Sequence, residues 1–342
     1  MWWHTEHFKP KENYLKTRAC LLKAIRQYFD KHNFIEVETP CLQISPGMEP
    51  HLKAFKTQLL DQNFDVKSEL YLHTSPEFSM KKLLVAGMER IYQICKTFRN
   101  AEGSRFHRYE FTILEWYKTQ ISYQEFIGEV QDFIRHCAHA FNIDQFSCND
   151  MACDPFRQWE IISVCEAFSK YAGIDLEKHL HDLEGFKKAG EASGVILSRD
   201  DEWDDIFFKI LLEKIEPNLG KSQPAILYDY PVHMAALARP KKDDPRFAER
   251  FEVYICAMEL GNAFGELTDP DIQLERYKKD MNTKQRLYGE SWPVDQDFID
   301  ALRHGMPDCC GIAIGIDRLV MLVSGADHID DVNWVPLPGG KS

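Results

Sequence analysis

The stretch IYQICKTFRNAEGSRFHRYEFTILEWY, residues 91–117, decides the fold class that we predict for this chain. Its two ends, residues 91–99 and 109–117, are rich in aromatic and β-branched side chains, a composition typical of β-strands. The residues between them, 100–108, are polar. We therefore predict one long antiparallel hairpin.

The segments on either side of the hairpin predict both helices and further strands. Residues 14–32 carry apolar side chains at the helical period, and residues 34–37 form a short apolar run. The sequence Thr-Ser-Pro-Glu at 74–77 is typical of the start of a helix, which we expect to end at Gly87. Later runs predict strands at 225–230, 250–258 and 311–316 and a helix at 318–324.

The order of these segments favours an α+β fold, with an antiparallel β-sheet flanked by helices, over alternating βαβ units. Residues 155–215 are rich in Glu, Lys and Asp and have a helical pattern, so we predict a helical insertion there. The chain contains neither GxGxxG nor GxxxxGKS, which argues against the two common nucleotide-binding loops.

Composition and charge narrow the class of protein. The 342 residues are 44% hydrophobic, which is enough to offset chain entropy and excludes disorder. The 41 Lys and Arg against 54 Asp and Glu give a net charge of −13, which argues against a general nucleic-acid binder. No apolar run is long enough to span a bilayer, and the N-terminus has no signal-peptide pattern. The ten cysteines lack zinc-ligand spacing, so we expect reduced thiols in a cytoplasmic protein.

The predicted hairpin concentrates cations near its turn. Arg99 ends the first strand, and Arg105, His107 and Arg108 follow within a few residues. Such a cluster suits a triphosphate, because arginine donates paired hydrogen bonds to phosphate oxygens. Phe111 could stack on a base. The competing interpretation is a solvated basic hairpin tip.

Acidic residues form the second candidate group. Glu252, Glu259 and Glu266 lie in and after a predicted strand, with Glu259 expected near the end of that strand. Carboxylates there could hold Mg²⁺ beside phosphate oxygens or pair with a substrate ammonium. Glu77, at the predicted helix start, could bind an amine, which together with the helix terminus suits a zwitterion. The competing interpretations are surface acids and an ordinary capped helix.

The third candidate is the strand that carries Gly311, Ala313 and Gly315. Glycines at alternate positions of an apolar strand indicate that something flat packs on one face. Arg318 follows and could reach a phosphate; alternatively, it pairs with Asp317 beside an ordinary core strand. The chain has no Gly-x-Ser-x-Gly sequence, so covalent catalysis is not supported. The three candidate groups together favour a reaction in which a carboxylate attacks ATP in line, with catalysis by positioning and charge stabilisation.

Several segments together resemble known motifs. Residues 34–40 resemble motif 1 of the class II aminoacyl-tRNA synthetases, residues 98–111 resemble motif 2, and residues 311–318 resemble motif 3. Signatures of the lysyl-tRNA synthetase subgroup are similar to residues 74–77, 114–117 and 259–266. The order is right throughout, so the resemblance covers nearly the whole chain.

A lysyl-tRNA synthetase carries an anticodon-reading β-barrel before motif 1, whereas motif 1 begins here near residue 34. We expect a single catalytic domain over residues 1–342, without an anticodon-binding domain. The chain therefore resembles the elongation factor P lysine ligase family, a truncated bacterial paralogue. The resemblance implies that ATP, with Mg²⁺, activates lysine or (R)-β-lysine as an adenylate, which acylates a lysine ε-amine of elongation factor P. It also implies a homodimer, and tRNA is not an expected partner.

The resemblance implies roles for residues at the matching positions. Arg99 would contact the α-phosphate and Arg318 the outer phosphates, so both are catalytic. Phe111 would stack on adenine, and Glu259 would hold Mg²⁺. The full implied ATP-binding set is Arg99, Asn100, Ala101, His107, Arg108, Phe111, Glu259, Leu260, Gly315 and Arg318. The implied lysine-binding set is Ser75, Pro76, Glu77, Tyr117, Glu266 and Ala313.

Three positions depart from the synthetase pattern. Ala101 stands where a Glu usually contacts adenine, with Glu102 next, so either the loop shifts or the main chain at Ala101 holds adenine. Arg108 replaces an Asn that contacts ATP. Ala313 replaces a glycine, a change shared with the paralogue family that would reshape the lysine pocket.

Three alternatives remain open at this point. A free-standing lysyl-tRNA synthetase catalytic domain is disfavoured by the acidic balance and the missing anticodon domain. A non-catalytic amino-acid sensor is disfavoured by the retention of Arg99, Glu259, Glu266 and Arg318. An ammonia-using amide synthetase is disfavoured by Glu77 and Glu266.

Overall fold

The chain is described from a computed structural model that covers residues 1–148 and 150–337. Residues 338–342, which belong to the predicted domain, lie outside the described residues. The strands, in chain order, are β1 Ile35–Glu36, β2 Leu42–Gln43, β3 Phe55–Leu60, β4 Val66–Leu72, β5 Arg90–Phe98, β6 Glu110–Thr119, β7 Phe146–Cys148, β8 Met151–Cys153, β9 Glu160–Ser163, β10 Ala225–Pro231, β11 Phe247–Ile255, β12 Met258–Gly265 and β13 Cys309–Gly315.

The α-helices alternate with these strands only in part. They are α1 Thr5–Phe8, α2 Glu12–Lys31, α3 Glu77–Val85, α4 Tyr123–Ala140, α5 Val164–Ala167, α6 Leu183–Ala192, α7 Trp203–Ile210, α8 Pro270–Tyr288, α9 Gln296–Gly305 and α10 Ile316–Ser324. Among residues 1–148 and 150–337, no helix combines the length and the apolar character needed to cross a bilayer.

An eight-stranded sheet forms the centre of the fold, in the order β1-β5-β6-β13-β12-β11-β10-β9. Only the two outer pairs are parallel, β1 with β5 and β9 with β10. The strands between them are antiparallel. This arrangement confirms the predicted α+β class with an antiparallel sheet flanked by helices.

The hairpin that opened the sequence analysis forms β5 and β6. The two strands pair from Arg90 opposite Lys118 to Phe98 opposite Glu110, so the polar segment between them is a long turn. One face of β6 places Trp116 in a core with Phe29 of α2 and Phe133 of α4. The other face of the sheet is therefore left free to carry the site.

A buried ion pair fixes this arrangement. Arg18 of α2 donates to Asp317 of α10 at 2.5 Å and to the hydroxyl of Thr112 on β6 at 2.7 Å. Asp317 also accepts the Thr112 backbone N–H at 2.7 Å. The partner of Asp317 is thus Arg18, and the alternative in which Asp317 pairs with Arg318 is wrong.

The prediction of one strand at 250–258 is wrong at its end. The chain turns at Cys256 and Ala257, both with positive φ (53° and 54°), and returns as β12. Such two-residue turns usually contain Asn-Gly or Asp-Gly, and Cys-Ala carries no such turn signal. A segment that is distant in the sequence holds the turn, because the Cys256 N–H donates to the Gly220 carbonyl at 2.7 Å. Glu259 consequently begins a strand, where the sequence placed it at the end of one.

Residues 155–215 contain mostly helical elements around a second core, which includes Phe168, Phe186 and Phe207. The helical prediction is wrong for β9, which forms the edge of the central sheet. A four-residue strand is too short to show an alternating pattern beside helical sequence. That these residues form an insertion within one domain stays a prediction.

Candidate active site

A cavity of about 580 Å³ opens on the face of the sheet opposite the Trp116 core. Its floor follows from strand register: Gly311 of β13 lies opposite Tyr117 of β6, and Ala313 opposite Glu115. Because side chains alternate across a strand, these positions share one face while their neighbours pack into the core. The volume lies within the range usual for small-molecule sites.

A β-bulge brings Glu259 to the same face. Gly261 pairs with Val253 and Glu259 pairs with Tyr254, so Leu260 is an extra residue on β12. Without the bulge, Glu259 would alternate away from Asn262, three residues later, which lines the cavity. The backbone irregularity therefore places the carboxylate in the cavity wall.

Two arginines from distant parts of the chain meet at one end of the cavity. The guanidinium of Arg99 lies over the ring of Phe111, 5.3 Å from its centroid. Arg318 donates to the Glu259 carbonyl at 2.5 Å and to Nε2 of His107 at 2.5 Å. Nε of Arg99 is buried and has no hydrogen-bond partner among the described residues, which marks a place for an acceptor.

His107 is held as a neutral ring at this end. Desolvation and the charges of Arg318 and Arg99 lower the pKa of His107 to about 4. Because Nε2 accepts from Arg318, the ring hydrogen is on Nδ1, which donates to Ser104 Oγ at 2.8 Å. His107 thereby orients Arg318 without adding a charge.

Three buried carboxylates stand at the other end, on Glu77, Glu115 and Glu266. Glu115 accepts from Ser75 Oγ at 2.6 Å and from Tyr117 Oη at 3.0 Å. Glu77 and Glu266 both contact the ammonium of Lys81, a residue of α3. The carboxylates enter from a helix, a strand and the end of another strand, so only the folded sheet assembles them.

Burial dominates the acid–base behaviour of this cluster. It raises the pKa of Glu115 to about 8, with a further contribution from the charge of Glu77. It also raises the pKa of Glu266 to about 7, against the opposing effect of Lys81. Carboxylates that are costly to ionise in an empty site are stabilised when a cation enters. The cluster is therefore suited to bind ammonium groups.

Further acids line the wall beside Arg318. Glu252 accepts from Tyr230, Tyr254 and Arg250, which occupy both of its oxygens. Burial, followed by the charge of Glu252, raises the pKa of Glu259. Glu259 is thus the carboxylate in this wall whose oxygens are best placed to take a cation.

Most residues of the implied sets line this one cavity, although their roles stay predictions. Those in the wall are Ser75, Glu77, Arg99, His107, Arg108, Phe111, Tyr117, Glu259, Leu260, Glu266, Ala313, Gly315 and Arg318. Pro76, Asn100 and Ala101 are not among the lining residues. Ala101 is exposed with a φ of 63°, and Glu102 lines the cavity instead.

Two cations near the hairpin turn have protein partners. Arg105 lies outside the wall and pairs with Asp327 at 3.3 Å, so the expected convergence with Arg99 is wrong for this residue. Arg108 lines the cavity and also pairs with Asp330 at 3.1 Å.

Sequence reasoning missed three residues of the site. Glu115 shares a face of β6 with Tyr117, so alternation could have found it. Asn262 lies within the quoted 259–266 segment and accepts from Arg250 at 3.3 Å. Lys81 lies one helical turn after Glu77, so helical spacing could have indicated a pair with Glu77, but no sequence pattern points to Glu266.

Comparison with known proteins gives a consistent result. The family model described as "tRNA synthetases class II (D, K and N)" matches residues 5–338. A protein of Vibrio atlanticus (strain LGP32) named "Elongation factor P--(R)-beta-lysine ligase" is 39% identical over 327 residues, 95% of each chain. Proteins with the same name from Vibrio cholerae and Yersinia enterocolitica are 38% and 36% identical, over 95% and 97% of each chain. This chain therefore belongs to the class II tRNA synthetase family, in the group that contains these ligases.

Proposed function

We propose that this protein is an ATP-dependent ligase that activates lysine, preferably (R)-β-lysine, and transfers it to a lysine ε-amine of elongation factor P. The names of the relatives that align over 95% of their length support the substrate and the acceptor. The observation that carries the proposal is one cavity with Arg99 and Arg318 at one end and three buried carboxylates at the other. A phosphate chain and a diamino acid match these two ends in charge.

The first half-reaction is adenylate formation. A carboxylate oxygen of the amino acid attacks the α-phosphorus of ATP, the bond to the β-phosphate oxygen breaks, and pyrophosphate leaves. Arg99 offers an unpaired N–H to the charge that develops on the α-phosphate. Arg318, oriented by His107, faces the outer phosphates.

The second half-reaction transfers the aminoacyl group. The neutral ε-amine of the acceptor lysine attacks the carbonyl carbon, an amide bond forms, AMP leaves, and the amine loses a proton. The ammonium groups of the bound amino acid pair with Glu77, Glu115 and Glu266 throughout, which keeps the carbonyl fixed between the two ends of the cavity.

Mg²⁺ fits the wall beside Arg318. Glu259 offers carboxylate oxygens, which this ion prefers, and burial, followed by the charge of Glu252, raises the pKa of Glu259. When bound, the ion neutralises phosphate charge. We assign Glu259 as its protein ligand, in keeping with the one or two carboxylates that Mg²⁺ usually takes.

The proposal includes a homodimer in the cytoplasm. Ile35 lies on the edge strand β1, and its large apolar side chain is exposed, as are those of Leu42 and Ile44 in the segment that follows β1. A second copy of the chain covering this face would bury the exposed apolar side chains and the sheet edge. All ten cysteines are free thiols, which suits a reducing compartment.

A transfer assay with both acceptors tests the proposal. Purified protein, ATP, Mg²⁺ and isotopically labelled lysine or (R)-β-lysine are incubated with elongation factor P and, separately, with lysine tRNA. We expect elongation factor P to gain the mass of one lysyl group on a single lysine and the tRNA to remain uncharged.

The transfer assay, together with pyrophosphate exchange and a reaction that contains free ammonia, separates the alternatives. Charging of tRNA alone would replace the proposal with lysyl-tRNA synthetase activity. Absence of lysine-dependent pyrophosphate exchange would favour a non-catalytic sensor. Amide formation with free ammonia in place of the protein acceptor would favour an amide synthetase.

A further inference from the structure

Lys81 is a fully buried lysine directly behind the carboxylate end of the cavity. Its side chain is 0% exposed and does not line the cavity wall. Its ammonium nitrogen lies 2.5 Å from Oε2 of Glu266 and also donates to Oε1 of Glu77. The two carboxylates therefore contact Lys81 on one side and the cavity on the other.

The local charge balance depends on this lysine. When Glu77, Glu115 and Glu266 are ionised, the single positive charge of Lys81 leaves two negative charges for the cavity. A substrate with two ammonium groups neutralises both. Without Lys81, the same substrate would leave one negative charge unpaired in a buried site, which is costly.

We infer that Lys81 is a positioning residue that keeps Glu77 and Glu266 ionised and oriented for the substrate's ammonium groups. This inference rests on the proposed function, because it concerns the binding of a diamino acid. It adds an internal cation to the site. Lys81 itself need not touch the substrate.

The other groups around Lys81 do not supply this charge. Arg239, another cation whose charge acts on Glu266, pairs with Glu249 at 2.6 Å. Burial raises the pKa of the Cys309 thiol, which keeps that group neutral. The titratable or charged groups that face the cluster are Glu49, Glu77, Glu115, Tyr117, Arg239, Glu266 and Cys309.

A purely structural role gives a poor account of this residue. A buried ion pair pays a desolvation penalty that an apolar side chain of similar size avoids, and replacing such pairs is often neutral or stabilising. A methionine would fill a similar space in α3. We therefore expect the ammonium of Lys81 to contribute to ligand binding, which depends on the charges of Glu77 and Glu266.

The test is calorimetry of L-lysine binding to Lys81→Met and to the wild type, near neutral pH, in two buffers of different ionisation enthalpy. Without Lys81, the carboxylate pair must hold an extra proton, which bound lysine displaces. We expect lysine affinity to fall roughly 10-fold or more, with about one additional proton released per lysine bound. ATP affinity should stay within about 2-fold, because the Arg99 end is untouched.

The matched control is Lys82→Met on the same helix. Lys82 pairs with Asp295 at 3.1 Å and with Asp297 at 2.9 Å, away from the cavity, and should leave lysine binding and proton release unchanged. Lys81→Arg should restore the wild-type proton count. Should Lys81→Met fail to fold, Lys81→Gln keeps hydrogen-bond donors without charge and serves the same comparison.

The outcomes separate the inference from the function it rests on. Unchanged lysine affinity, or weaker binding with an unchanged proton count, would overturn the role of Lys81. A wild-type protein that binds neither L-lysine nor (R)-β-lysine would instead contradict the proposed function.

Discussion

Arg99, the arginine that we propose to be catalytic, has a guanidinium nitrogen without a protein partner among the described residues. Its Nε is buried and unpaired among the described residues, and its ion pair with Glu102 is long, at 3.9 Å. We expect Arg99→Ala to lower turnover in lysine-dependent pyrophosphate exchange about 10²–10³-fold, the usual cost of removing one donor to a developing charge.

Arg105→Ala is the matched control for this change. It removes the same side chain from the same hairpin, but Arg105 pairs with Asp327 outside the cavity. Its turnover should stay within about 2-fold of the wild type. Equal losses for the two variants would show a general effect of hairpin charge, in disagreement with a specific role for Arg99.

Glu115 makes the stability of the ligand-free protein depend on pH. Burial raises its pKa from 4.5 to about 8, so the folded state binds a proton that the unfolded state releases over this range. This contribution is fully present below the unfolded-state pKa and is lost as pH rises through the folded-state value. Glu115→Gln removes the effect. The melting temperature of the variant relative to the wild type should therefore rise by about 2 °C or more between about pH 5 and about pH 8.5.

Differential scanning calorimetry of both proteins without ligand measures this difference. The comparison between variant and wild type at each pH cancels the titration of groups that do not interact with Glu115. The same variant should bind lysine more weakly, because a neutral amide replaces a carboxylate. A difference in melting temperature that is independent of pH would contradict the raised pKa of Glu115.

At the scale of elements, β13 separates the two ends of the site along one strand. A Cβ on Gly311 would lie 2.6 Å from Oε1 of Glu266 and still closer to the ring of Tyr117. A Cβ on Gly315 meets no protein atom closer than 3.6 Å, on the side chain of Arg318. The flat group that packs on Gly311 is therefore the ring of Tyr117.

These two glycines should respond differently to alanine. Gly311→Ala forces Tyr117 or Glu266 to move, and we expect the KM for lysine to rise about 10-fold or more, with the KM for ATP nearly unchanged. Gly315→Ala leaves the protein unstrained, so any effect on the kinetics should be an increase in the KM for ATP. Steady-state kinetics with each substrate varied in turn distinguishes the two patterns. The reverse pattern would mean that the ends of the cavity are wrongly assigned.

The same elements show why sequence predicted much of the fold and only part of the site. Strands β5 and β6 and helix α2 follow from local periodicity, which is a property of neighbouring residues. The bulge at Leu260 and the turn at Cys256 and Ala257 have no such signal, because distant backbone at Gly220 holds the turn. The direction of the Glu259 side chain depends on both the bulge and the turn, so it could not be predicted from local sequence.

At the scale of the whole molecule, long-range contacts decide which residues meet. Arg18 and Asp317 are 299 positions apart and form a buried pair that joins α2 to α10. The family resemblance predicted that Arg99 and Arg318 belong to one site. The pairs Lys81–Glu266 and Arg18–Asp317 were not predicted and are evident only in the folded structure. Pairings of this kind leave no periodic pattern in a single sequence.

The exposed apolar face at β1 leads to a prediction about assembly. Ile35, on this edge strand, and Ile44, in the segment after β2, are 56% and 53% exposed. An uncovered edge strand would invite uncontrolled pairing. A symmetric dimer would cover this face with its own copy. We expect light scattering coupled to gel filtration to give twice the 39.9 kDa mass of the chain.

Substitution of one isoleucine tests the face directly. Ile44→Asp places a charge at the proposed interface, which should produce a monomer because a buried unpaired charge opposes association. Ile196→Asp is the matched control, since Ile196 is 87% exposed in the loop after α6, outside the proposed face. It should remain a dimer. The edge strand β1 borders β5, whose hairpin carries Arg99. A monomeric Ile44→Asp protein that keeps full activity would therefore show that each cavity works alone. An Ile44→Asp protein that remains a dimer would place the interface elsewhere.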